Sequence, residues 1–122
     1  MANQIVWCDI PVTDLDRAIR FYSALLGHPV TKQSFSGMEY GLLPDADNSV
    51  SGCLVITKEA KPATDGPLIY FNCEGRLALA IAVVDLNGGR VLKPRHPIGP
   101  HGFRAIVLDS EGNRIALHSN KA

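Results

Sequence analysis

Apolar and polar positions change their rhythm several times along this chain, and each change marks an element. Residues 5–12, IVWCDIPV, form a short apolar run with the length of a strand. The period then switches: Leu15, Ala18, Ile19, Tyr22, Leu25 and Leu26 recur at helical spacing, with Arg17 and Arg20 off the stripe. Thr13 or Asp14 can cap the start, Thr13-x-x-Asp16 being a shortened capping box, and Gly27 stands where a left-handed C-terminal cap belongs. Strands are expected at Met38–Leu43 and Ser51–Thr57, separated by the turn formers PDADNS. The polar stretch KEAKPATDGP (58–67) interrupts any regular element. LIYFNC (68–73) then reads as a strand and Leu77–Leu86 as a helix ended by Gly88-Gly89. Last come strands near 90–93, 103–108 and 114–119, the final two joined by a DSEGN turn.

The two halves thus repeat one order of elements. An offset of 61 residues places Trp7 on Leu68, Leu25 on Leu86, Gly27 on Gly88 and Val30 on Val91. The fold class expected is α+β, with two βαβββ modules at 1–57 and 68–122 joined by a linker at 58–67. They pair within one compact domain or across a swapped dimer. The second helix is unusual because LALAIAVV (77–84) is uncharged on every face. Such a helix is buried on more than one side, either in its own core or against a second subunit, which points to a homodimer.

Composition narrows the function. Twelve basic and twelve acidic residues balance to a formal charge of zero, which argues against nucleic-acid or membrane-surface partners. No apolar run approaches the roughly 20 residues needed to cross a bilayer. Met1-Ala2-Asn3-Gln4 lacks the basic flank of a signal peptide. Cys8, Cys53 and Cys73, odd in number and far apart, suit a reducing cytoplasm.

Two stretches carry a resemblance. IPVTDLDRAIRFYSALLG (10–27) looks like the opening signature of the vicinal oxygen chelate superfamily of glyoxalases, bleomycin-resistance proteins and extradiol dioxygenases. GFRAIVLDSEGNRIALHS (102–119) resembles its closing signature, and GPLIYFNC with GGRVLKP resembles the start of its second module. The resemblance implies a mixed sheet curled around a cavity, with helices on the convex side. It also implies, in catalytic members, four His, Glu or Gln side chains holding one divalent metal. Carried over residue by residue, three of those positions are Trp7, Leu68 and Ala116, and the fourth is Gly52, Cys53 or Leu54. None of the first three can coordinate a metal, so no cofactor is expected; a divalent metal is the alternative.

Side chains of a strand alternate between faces. If Trp7 lines the cavity so does Asp9; Leu68 brings Tyr70 and Asn72, and Ala116 brings His118. The expected ligand-binding set is Trp7, Asp9, Tyr40, Leu68, Tyr70, Asn72, His101, Ala116 and His118, with Leu42 as a further lining position. A few convergent polar groups in an apolar wall are typical of small-molecule sites. Each residue also has a plainer role open to it: Trp7 can fill the vacated metal position, and Asn72 can close a turn. Asp9 and His118 can pair structurally, or can act as an acid–base couple. The loop RVLKPRHPIGPHGFR (90–104), with Arg90, Lys93, Arg95, His96, His101 and Arg104, either attracts an anion or is a solvated basic loop. The function expected is a metal-free, glyoxalase- or bleomycin-resistance-like protein that binds a small aromatic or hydrophobic molecule in a cleft. The alternative is a metal-dependent lyase, isomerase or dioxygenase of the same superfamily. A dimeric ferredoxin-like barrel is disfavoured by the near-equal halves.

Overall fold

The computed structural model describes residues 3–45 and 49–122, so part of the PDADNS turn cluster lies outside the described residues. The first half contains β1 (Trp7–Pro11), α1 (Leu15–Leu26), β2 (Thr31–Phe35), β3 (Met38–Leu42) and β4 (Ser51–Val55). The second contains β5 (Ile69–Asn72), α2 (Leu77–Leu86), β6 (Arg90–Pro97), β7 (Phe103–Leu108) and β8 (Arg114–Ser119). Each half builds a four-stranded sheet, ordered β1-β4-β3-β2 and β5-β8-β7-β6. The first strand of each runs parallel to the last, and the other neighbours are antiparallel. β1 and β5 are therefore edge strands. The fold is α+β, made of two βαβββ modules with helices on one face of each sheet.

Helix α1 forms as its sequence dictates. The carboxylate of Asp14 accepts the Arg17 amide at 3.0 Å, and Gly27 closes the last turn with φ 72°. Leu15, Ala18, Tyr22 and Leu25 are buried, together with Phe21. Helix α2 buries Leu77, Ala80 and Val84 but leaves Leu79 56% and Leu86 81% exposed. Deeper burial in its own core is therefore not how α2 tolerates an apolar outer face. After α2, Gly89 is required by space, since a Cβ there would sit 2.4 Å from the Leu108 carbonyl oxygen.

Two strands depart from expectation. β2 has no apolar alternation, every residue of TKQSF being exposed, so nothing in its pattern marks it as a strand; pairing with β3 creates it. β6 runs on to Pro97 through two register shifts against β7, because bulges on an edge strand accommodate its prolines.

One core joins both modules, with Ile10, Tyr22, Leu25 and Leu54 from the first half meeting Phe71, Val84, Ile115 and Leu117 from the second. The Tyr22 and Phe71 rings lie 5.3 Å apart. A polar lock sits beside this core. Buried Asp109 accepts the Tyr22 hydroxyl at 2.5 Å, the Asn113 side-chain amide at 3.0 Å, and the backbone amides of Glu111 and Asn113. Asn113 donates onward to the Pro11 carbonyl and accepts the Ala63 amide, which ties the linker down. Glu111 accepts from Thr13, the Asp14 amide and Arg17. Burial alone would raise its pKa, but the Arg17 guanidinium and those amides outweigh it and bring the carboxyl to about 2.

Candidate functional site

The faces of the two sheets turned away from the helices carry most of the residues expected to bind a ligand. On β1, Cys8 and Ile10 face the core while Trp7 and Asp9 face outward. Trp7 is 47% exposed, so its ring does not close the vacated metal position, and its indole N–H donates to Asp9 at 2.9 Å. The register of β4 is now settled: Cys53 is the Cα partner of both Asp9 and Leu42, and its thiol donates to Asp9 at 3.3 Å. Gly52 and Leu54 belong to the other face. Burial, then the Asp9 carboxylate, push the Cys53 thiol up to about 11, which keeps it protonated at neutral pH. Tyr40 pairs in register with Val55 and Gln33, and its hydroxyl donates to Gln33 at 3.1 Å.

In the second sheet Tyr70 is the Cα partner of Ala116, and Asn72 of His118. The resulting face is a connected polar network. Arg104 donates to the Tyr70 hydroxyl and, at 2.9 Å, to Nε2 of His96. Its guanidinium lies 5.8 Å from the centre of the Tyr70 ring. Nδ1 of His96 donates to the Pro94 carbonyl at 2.8 Å, leaving Nε2 as the acceptor for Arg104. His118 packs edge-on to Tyr70 at 6.3 Å, and its Nε2 donates to the His101 carbonyl at 2.6 Å.

Several expectations need correction. Within one chain Asp9 and His118 do not form a couple: they stand in separate sheets, one bonded to Trp7 and Cys53, the other to His101. Ala116 has no exposed surface; its Cα partners on the neighbouring strands are Tyr70 and Ile106. Leu68 lies just before β5 and is half-buried. Asn72 closes a turn, accepting the Glu74 amide at 2.9 Å. His101 contributes its carbonyl rather than its imidazole. The basic loop is mostly strand, and its Arg104 and His96 belong to the network; the register of the β7–β8 hairpin, which places Arg104 opposite His118, was the signal that could have found them. A hollow of about 650 Å³ opens between β1 and β5, and only Tyr70 and Asn72 of the expected set line it.

The divalent metal implied by the resemblance does not fit these residues. Trp7, Leu68 and Ala116 offer no lone pair suited to a metal, and the fourth position holds a lone neutral thiol. Among the described residues no three His, Cys, Asp or Glu side chains converge. No helix among them is long and apolar enough to cross a membrane.

Comparisons with known proteins agree with this fold. The chain is 29% identical, over 94% of its length and 92% of the relative's, to a "Glyoxylase-like domain-containing protein" of Didymella fabae. It superposes on a glyoxalase-related enzyme from Fulvimarina pelagi with a TM-score of 0.74 at 16% identity, covering 97% of this chain and 88% of that one. A glyoxalase/bleomycin resistance protein from Albidiferax ferrireducens T118 gives 0.68 at 19% identity, over 96% and 99%. Residues 4–117 match the family model, and the chain belongs to the Glyoxalase/Bleomycin resistance protein/Dioxygenase superfamily.

Proposed function

We propose that this chain binds a small aromatic or otherwise hydrophobic molecule in a cleft formed by the open sheet faces, without a resident metal. The observation that carries the reading is the replacement of metal-ligating side chains by Trp7, Leu68 and Ala116, on faces that expose Trp7 and Tyr70. An indole and a phenol offer flat surfaces for stacking. Asp9, Cys53 and the Arg104–Tyr70–His118 network supply the orienting polar groups, with Tyr40, Leu68, Asn72 and His101 at the margins.

The working form is a homodimer. Edge strands β1 and β5 leave backbone donors and acceptors unpaired, and a second copy brings one module's open face against the other's, completing the cleft. A reducing cytoplasm suits the three free cysteines.

Native mass spectrometry of freshly purified protein tests this. A dimer retaining an organic molecule, with retention lost in Trp7→Ala, is the expected result. A monomer that retains nothing would contradict it, and one transition metal per chain would favour the metal-dependent lyase, isomerase or dioxygenase instead.

A further inference from the structure

We infer that the hollow between the modules is a second ligand site, beside the open faces and sharing Tyr70 and Asn72 with them, and that it takes a small apolar molecule bearing one carboxylate. Its volume of about 650 Å³ suits a compact organic ligand. The walls are Cys8 and Ile10 of β1 with Ile69 and Phe71 of β5. On β1, Cys8 and Ile10 alternate with Trp7 and Asp9, so they look toward the helices rather than the open face; on β5 the edge residues Tyr70 and Asn72 also reach the hollow.

The repeat explains why the space exists. The 61-residue offset carries Glu111 onto Val50 and Thr13 onto Glu74. In the first place, the Glu111 carboxylate bonds Thr13 and closes the junction. In the second, an apolar Val50 stands opposite an acid, no lock forms, and the junction stays open.

Arg76 and His28 line one end. Arg76 is half-buried, and one of its nitrogens donates to the Leu25 carbonyl at the end of α1. A guanidinium has five N–H donors, and no carboxylate among the described residues pairs with this one. A carboxylate arriving between apolar walls would make a strong, charge-assisted bond with it. Gly27 preserves the space, because a Cβ there would lie 3.0 Å from the Arg76 guanidinium carbon. Asp45 and Glu74 also line the hollow, the latter accepting the Asn120 amide at 2.6 Å. Two nearby acids select against a second negative charge on the ligand.

Cys8 provides the readout, being the half-buried cysteine of the hollow while Cys53 and Cys73 are buried. Alkylation of Cys8 by iodoacetamide at alkaline pH is followed by mass spectrometry, with octanoate as probe and octanol as its neutral match. Octanoate should protect Cys8 saturably, at concentrations at least about tenfold below those octanol needs, the scale of one charge-assisted hydrogen bond. Arg76→Gln should erase that advantage, Val50→Trp should abolish protection by both probes, and Trp7→Ala on the open face should leave both unchanged. Circular dichroism checks folding; if Arg76→Gln does not fold, Val50→Trp and the octanol comparison decide. Absent protection, equal protection by octanol, or loss of protection in Trp7→Ala would each overturn the inference. Only the last outcome speaks to the open-face reading as well.

Discussion

Replacing Glu111 by Gln removes one charge from the lock between the modules. The Glu111 carboxylate is fully covered and bonds Arg17 at 2.7 Å, while its other oxygen accepts the Thr13 and Asp14 amides at 2.9 and 2.8 Å. A glutamine can keep those amides, but its own NH₂ then faces the donors of Arg17 and Ser110. The fall of the carboxyl from 4.5 to about 2 corresponds to about 3 kcal/mol of stability at neutral pH. That is a large share of the roughly 5–15 kcal/mol typical of a domain, and it lowers Tm by about 10–15 °C at this size. A depressed pKa stabilises above the unfolded value of 4.5 and loses that contribution as pH falls toward about 2. Urea unfolding of both proteins at pH 7 and pH 3 is the assay. The gap should be about 3 kcal/mol at pH 7 and shrink to about 1.5 kcal/mol at pH 3. A gap below about 1 kcal/mol at pH 7, or one independent of pH, would refute the reasoning.

Tyr22→Phe removes a buried hydroxyl from the Asp109 carboxylate and should cost about 1.5–3 kcal/mol in the same assay; a cost near zero would mean the lock does not need that donor. Burial, then Asp109, hold the Tyr22 pKa well above 10.0. Its contribution is thus present below pH 10 and lost as pH rises further, so ultraviolet titration should show its phenolate appearing only with unfolding. Gly89→Ala sets a methyl against the Leu108 carbonyl oxygen, the Phe21 ring and Val84, and should destabilise by at least about 2 kcal/mol, read as a lower thermal midpoint.

The elements legible in the sequence were those that carry their own pattern. α1 has a capping carboxylate, an apolar stripe and a left-handed glycine, and α2 opens with the charge-free block 77–84 and is followed by glycines. β2 was illegible because neither of its faces is buried, and β6 because its prolines resemble a loop while bulges let it pair. At the site, alternation correctly separated Trp7 and Asp9 from Cys8 and Ile10, since a strand has only two faces. It failed for Ala116, which is fully buried, and for the Asp9–His118 couple within one chain, since alternation does not report which strands adjoin across two sheets. The Arg17–Glu111 lock was invisible because its partners lie 94 residues apart, a distance that only the packing of one module against the other bridges.

The claim beneath the functional reading is that an indole, an isobutyl group and a methyl occupy the positions of metal ligands. Elemental analysis tests it most directly, on protein equilibrated with nickel, zinc, manganese or ferrous iron and then passed through a desalting column. The account predicts that none of the four is retained in stoichiometric amount. One ion per chain, held through desalting and released by chelator, would contradict it.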